Sequence, residues 1–292
     1  MALPLLIAKK EQKLKQNLSI KLSNESCFDF LKRLDSNSIS LILIDPPYEI
    51  SRDTNFASGE ETGKDTDRFR VSMDFGDWDC DFNDLAGVIK ECYRVLKKGG
   101  TMICFYDLWK ITTLKQYFDD AKFKQLRYIE WIKTNPVPLN SKTNYLTNSR
   151  EIALVGVKGG KPTFHSEYDN GIYSYPICHD KGRFHPTQKP LALIEDLIVK
   201  HSDEGDLICD CFSGSGTTAV ASYNTNRNFV GCELSKEYYD KSLLRFEERG
   251  FDGRRNKDAQ QGSSAGKKAS EENGENDIAS LFSGGKRPRR TT

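Results

Sequence analysis

Asp45-Pro46-Pro47-Tyr48 sets a carboxylate, a rigid carbonyl-bearing turn and an aromatic ring in four consecutive residues. Proline fixes its own φ, so the Pro46 carbonyl is aimed by the chain. The four follow Leu41-Ile42-Leu43-Ile44, a continuous apolar run bounded by polar turn residues, the pattern of a strand buried on both faces. They therefore fall at the carboxyl end of a strand, the edge at which open α/β sheets bind ligands. A carboxylate and a carbonyl accept hydrogen bonds, and a ring can stack on a planar group. Taken alone, the tetrapeptide also reads as a plain strand-ending Pro-Pro turn.

A second cluster lies far along the chain. Asp206-Leu207-Ile208-Cys209-Asp210 leads into Cys211-Phe212-Ser213-Gly214-Ser215-Gly216-Thr217-Thr218, so a buried strand passes through a glycine-rich turn into a helix. Glycines there allow a ligand to approach the backbone closely. The following strand leads to Glu233, where a carboxylate can accept both hydroxyls of an adenosine ribose. An ordinary tight turn beside an exposed acid is the plain alternative. A nicotinamide site fits less well, because Gly214-Ser215-Gly216 lacks the third spaced glycine that brings a pyrophosphate to a helix N-terminus.

Both clusters need a sheet to hold them. Short apolar runs alternate with helical periodicity, the signature of βα units around a mostly parallel sheet. Helices are expected over 27–34, 82–96, 108–123, 190–200, 217–225 and 236–249, and strands over 41–44, 101–106, 127–133, 151–157, 206–210 and 229–231. Gly99-Gly100 is read as the stop of the second helix, and Pro190 suits the first turn of the fourth. Residues 158–184 show no clear period. The organisation expected is an N-terminal extension (1–16), one catalytic domain (17–250) and a tail (251–292) too poor in apolar side chains to offset the entropy of ordering. Its Lys286-Arg287-Pro288-Arg289-Arg290 cluster reads as a solvated basic end.

With 43 basic and 42 acidic residues, any nucleic-acid face must be a local patch. The eight cysteines are scattered, mostly in apolar runs, and read as buried thiols of a reducing compartment; no metal site is expected. Met1 to Ile7 is apolar but short, followed by Lys9-Lys10, and no stretch approaches the ~18 apolar residues of a membrane helix. The expectation is a soluble cytoplasmic protein with no membrane partner.

Combined with Phe212-x-Gly214-x-Gly216 and His185-Pro186-Thr187-Gln188-Lys189-Pro190, the tetrapeptide closely resembles the signature of the DNA adenine-N6 and cytosine-N4 methyltransferases. The resemblance covers roughly residues 17–248 and includes Trp131-x-Lys133-x-Asn135-Pro136 and Arg150-Glu151. The catalytic motif precedes the cofactor motif, as in the beta arrangement of that family. What the resemblance implies is a class I methyltransferase fold, a Rossmann-like mostly parallel sheet with helices on both faces and a small target-recognition insert. The implied cofactor is S-adenosylmethionine, and the implied substrate is a base flipped out of DNA.

The resemblance makes Asp45, Pro46, Pro47 and Tyr48 the catalytic set. An aromatic amine is a weak nucleophile because its lone pair is delocalised. If Asp45 and the Pro46 carbonyl accept its two N–H bonds, the nitrogen is drawn towards a pyramidal geometry suited to in-line methyl transfer. Tyr48 would stack on the flipped base. Asp210, Phe212, Gly214, Ser215, Gly216, Thr217 and Glu233 form the expected cofactor site, with Thr187 and Lys189 carried over to its methionine end. His185 reads instead as a turn or cap residue. Many relatives carry Gly-Asp where this chain has Glu25-Ser26, so Ser26 is the candidate for the adenine contact, with Glu25 as a substitute.

An opening Asp favours adenine N6 over cytosine N4. An RNA-directed enzyme and a non-catalytic DNA-binding subunit are the other readings. DNA contacts are expected from an active-site loop (49–81), residues 134–150 and a short target-recognition segment (158–184), which hold Lys142, Arg150, Lys158, Lys161, Lys181 and Arg183. A second copy of the chain and a cognate restriction endonuclease stand as further candidate partners.

Overall fold

A computed structural model of the chain describes residues 18–47, 84–136, 146–178 and 183–253. Tyr48, Lys142, Lys181, the extension, the 49–81 loop and the tail beyond 253 lie outside the described residues.

The elements run β1 (Ile20–Asn24), α1 (Cys27–Lys32), β2 (Ile39–Ile44), α2 (Leu85–Val95), β3 (Leu96–Tyr106), a 3-10 turn (Leu108–Lys110), α3 (Ile111–Asp120), β4 (Lys124–Lys133) and β5 (Arg150–Val157). Then come β6 (Ile172–Tyr175), α4 (Leu191–His201), β7 (Leu207–Asp210), α5 (Thr217–Asn224), β8 (Asn228–Glu233) and α6 (Lys236–Glu248). One eight-stranded sheet has the order β1-β8-β7-β2-β3-β5-β4-β6. All its pairings are parallel except those of β5 with β3 and β4. The expected mostly parallel α/β sheet is thus observed.

The apolar run of β2 explains its central place. Ile42 and Ile44 pack with Phe30, Val88, Ile89 and Phe118 from α1, α2 and α3 on one face. Leu41 and Leu43 pack with Leu193, Ile194, Val220 and Leu243 from α4, α5 and α6 on the other. Each such side chain contributes about 1.5–3 kcal/mol by leaving water, which only a strand covered on both sides can gain at every position.

Four local expectations are corrected. Gly99-Gly100 is not the stop of α2: that helix closes at Val95, because Leu96 turns extended (φ −62°, ψ 142°). Gly99 instead lies within β3 at φ +83°, where a Cβ would meet the Lys161 carbonyl at 2.6 Å. β1 was not expected; it is a five-residue strand whose pairing partner, β8, is some 200 residues away in sequence. Residues 158–184 contain β6, which adds to β4, and the Trp131 indole donates to the Tyr175 carbonyl at 2.9 Å. Pro190 is the N-cap residue of α4 rather than part of its first turn.

The antiparallel direction of β5 decides where these residues lie. Arg150 and Glu151 start β5 at the edge where β3 ends, since Ile152 pairs with Tyr106. Val157 finishes at the opposite edge, opposite Thr101, and Lys158 there donates to Asn37 and to the Arg94 carbonyl. Only from β6 onward does the 158–184 segment return to the edge that carries Asp45.

Candidate active site

β2 and β7 are neighbours, with Leu41 opposite Ile208 and Ile42 opposite Cys209. Their carboxyl ends therefore bring Asp45 and the Asp210 turn together from 165 residues apart in sequence. A cavity of about 290 Å³ lies between them. Asp45, Pro46 and Pro47 form one wall, and Asp210, Phe212, Gly214, Ser215, Thr217 and Glu233 form another. Ser26, Thr187 and Lys189 complete the enclosure. Of the expected site residues that are described, Gly216 is not on the wall.

Gly216 shapes the turn. It caps α5 in the left-handed region (φ 70°), and a Cβ there would lie 2.6 Å from the Phe246 ring. Gly214 (φ 50°) is also left-handed, and a Cβ would sit 3.2 Å from the His185 imidazole. The Gly214 amide donates to Glu233 Oε2 at 2.7 Å, and the Ser235 amide donates to Oε1 at 2.8 Å. Burial raises the Glu233 carboxyl above its ordinary range, although these amides oppose the shift. Asp210 is turned into the loop: it accepts from the Phe212 amide at 2.9 Å and the Thr218 hydroxyl at 2.6 Å. Burial still pushes it up to about 7.

A brace from α6 was not expected. The Ser242 hydroxyl donates to the Gly214 carbonyl at 3.0 Å, and Arg245 donates to the Ser215 carbonyl at 2.8 Å and to Thr217 Oγ1 at 3.0 Å. Their i, i+3 spacing puts both on one helix face, but polar residues on a terminal helix ordinarily read as solvated.

Around Asp45 the structure adds charge. The buried Lys189 ammonium forms an ion pair with Asp45 Oδ2 and lies 3.1 Å from Glu151 Oε2. Glu151 Oε1 is in turn 2.8 Å from the Lys133 ammonium. Burial would lower the Lys189 ammonium, but Asp45 and Glu151 outweigh it and hold the group above the ordinary lysine range. For Glu151, burial opposes ionisation, yet Lys189 and Lys133 keep its carboxyl below the ordinary range. Lys189, expected beside the cofactor's methionine end, thus faces two carboxylates while still lining the cavity.

Ser26 lines the cavity as the N-cap of α1, its hydroxyl accepting from the Asp29 amide and donating to Asp29 Oδ2 at 2.7 Å. Glu25 is held by Arg33 at 2.5 Å and is not among the residues that line the cavity. His185 packs edge-on against Tyr238 with centroids 4.5 Å apart and also lines the cavity. Burial, with Lys189 and Arg183 nearby, pushes its imidazole down to about 4, so it is neutral at ordinary pH. Phe28 and Leu234 supply apolar wall that the motifs did not mark.

The family model for N6/N4 DNA methylases matches residues 39–244. The type II methyltransferase M2.MboI of Moraxella bovis is 33% identical over 244 residues, covering 76% of this chain and 86% of its own. Its counterpart M2.DpnII of Streptococcus pneumoniae is 32% identical, with 77% and 89% covered. Among solved structures, M1.HpyAVI in complex with S-adenosylmethionine has a TM-score of 0.57 at 27% identity, covering 77% of this chain and 99% of that one. The cytosine-N4-specific PvuII DNA methyltransferase shares the fold at a TM-score of 0.60 and 17% identity, with 81% and 92% covered. This chain belongs to the N6/N4 DNA methylase family.

Proposed function

We propose that this chain is an S-adenosylmethionine-dependent DNA methyltransferase acting on the exocyclic N6 of an adenine turned out of its duplex. The observation that carries the reading is the single cavity shared by the Asp45-Pro46 acceptors and the Gly214–Glu233 cradle. Its residues fit the cofactor. Each Glu233 oxygen accepts one backbone N–H and keeps a second lone pair for a ribose hydroxyl. Phe28, Phe212 and Leu234 offer apolar wall to an adenine ring. The cavity of about 290 Å³ approaches the lower end of small-ligand sites, roughly 300–1,000 Å³. S-adenosylmethionine, when bound, supplies an electrophilic methyl group on a sulfonium.

The chain's own residues prepare the nucleophile. Asp45 and the Pro46 carbonyl accept the two N–H bonds of the amine, which localises the nitrogen lone pair and orients it for attack. Tyr48, next after Pro47, is assigned to stack on the base, a contact of about 1–3 kcal/mol. Arg150 and Arg183, exposed near the same edge, are assigned to phosphates. Lys158 and Lys161 are left out, because Lys158 sits at the far edge and the Lys161 carbonyl lies against Gly99 there. Residues 17–250 are taken as the methyltransferase unit, with a second copy of the chain and a cognate restriction endonuclease as its proposed partners.

The test is labelled-methyl transfer to DNA followed by nucleoside analysis. N6-methyladenine is expected; N4-methylcytosine would reassign the base, and DNA binding without any methylated nucleoside would overturn catalysis. Asp45→Ala should lower transfer by at least about a hundredfold while cofactor affinity in calorimetry changes by less than about threefold.

A further inference from the structure

Trp131-x-Lys133 and Glu151 are parts of the family signature to which the proposed mechanism gives no role. In the fold they converge on the active site. Lys133 ends β4 and Glu151 starts β5, at the edge where β2 ends in Asp45. An alternating chain of charges results, Lys133, Glu151, Lys189 and Asp45, with distances of 2.8 Å and 3.1 Å on the two sides of Glu151.

Glu151 Oε2 is the unusual atom in this chain. It is buried and makes no well-formed hydrogen bond, although the Lys189 ammonium is only 3.1 Å away. The ammonium is instead aligned with Asp45 Oδ2. A buried carboxylate oxygen that has an ammonium within ion-pair reach but no well-aligned hydrogen bond is a ready destination for that donor. Meanwhile a carboxylate bonded to a buried ammonium is a weaker acceptor for a neutral amine, because the ammonium draws its negative charge and holds the Oδ2 lone pair that faces it. Lys189 rests on the Phe105 ring, 5.1 Å from its centroid, so a small rotation about its long side chain exchanges one carboxylate for the other.

We propose that Glu151 is a positioning residue that takes the Lys189 ammonium from Asp45 when the target amine arrives, releasing Asp45 Oδ2 to accept its N–H. No bond is made or broken in this step, and net charge in the chain is unchanged. Lys133 keeps Glu151 ionised and fixed in place. In the empty site Lys189 lies between the two carboxylates with its aligned hydrogen bond on Asp45; in the filled site that bond passes to Glu151.

The inference rests on the methyl-transfer reading, and the experiment separates the two. Once the target site is known from sequencing modified bases, two quantities are measured for the wild type, Glu151→Gln, Lys189→Met and the double variant. One is the single-turnover methylation rate with saturating cofactor. The other is the affinity for a duplex carrying adenine at the target relative to one carrying purine, which lacks the amine. Glu151→Gln should slow transfer by at least about tenfold and lower the adenine-over-purine preference, with cofactor affinity within about threefold of wild type. The double variant should be no slower than the slower single variant, because Glu151 acts through Lys189. Glu151→Asp, which keeps the charge on a shorter arm, should recover part of the rate if Lys189→Met fails to fold. Wild-type rates and preference in Glu151→Gln, or deficits that multiply in the double variant, would overturn the handover. A wild type that transfers no methyl group to DNA would overturn the underlying reading, and the handover with it.

Discussion

Asp210 and Glu151 are both buried carboxylates, and their neighbours send them in opposite directions. Asp210 meets only a hydroxyl and an amide, so burial dominates and pushes it up to about 7. Two ammonium groups face Glu151, and they hold it low. The signs of their pH dependence therefore differ. A carboxyl raised on folding contributes stability below its unfolded value, near 3.9, that is lost as pH rises through the folded one. The cofactor-free protein should lose stability through Asp210 between about pH 4 and pH 7, with a slope of up to about 1.4 kcal/mol per pH unit. Glu151 works the other way: its contribution is present above its unfolded value, near 4.3, and is lost as pH falls through the folded one. Denaturant melts at successive pH values should show the neutral-side loss flattened in Asp210→Asn and the acid-side loss reduced in Glu151→Gln. Unchanged profiles in both variants would mean that other groups set the pH dependence.

Helix α6 acts on the Gly214–Thr217 turn without lining the cavity. Ser242 and Arg245 tie three of its groups, the Gly214 and Ser215 carbonyls and the Thr217 hydroxyl, to a helix packed through Leu243 and Phe246. Arg245→Leu should loosen the turn and weaken cofactor binding by about tenfold, with a stability loss of about 1–2 kcal/mol. Calorimetric titration beside a denaturant melt checks both, and weaker stability with unchanged affinity would show that the brace does not reach the ligand. This contact also marks a limit of what the sequence discloses. That Asp45-Pro46, the Gly214-Ser215-Gly216 turn and Glu233 meet at one sheet edge was legible because strand ends and glycine turns are marked within a few residues. The Lys133-Glu151-Lys189-Asp45 chain was not, because it joins four segments whose adjacency depends on strand order. β1 and β6 were missed for a related reason: each is a short edge strand defined by its partner more than by its own pattern. Gly99 misled because glycine serves equally as a helix stop and as a close-packed position inside a strand.

Across the whole molecule, charge is nearly balanced, with 43 basic and 42 acidic residues, so DNA affinity must come from a few local contacts. Arg150 is largely exposed, with Glu130 as its ion-pair partner at 3.3 Å. If Arg150 contacts a phosphate, Arg150→Ala should reduce the slope of log affinity against log salt by about 0.9, equally for target and non-target duplexes. Fluorescence anisotropy over a salt series checks this, and an unchanged slope would remove Arg150 from the phosphate contacts. The strand order carries a different kind of consequence. β1 and β2 lie close in sequence, yet β8 and β7 sit between them, and those two strands come from residues 207–233. During synthesis β1 has no partner until the last quarter of the domain has emerged. The wall bearing Asp45 can assemble early with β3, whereas the Glu233 wall and the cavity it closes form only at the end. The strands that come last in the sequence therefore close the ligand cavity, and the final step of folding is the one that completes it.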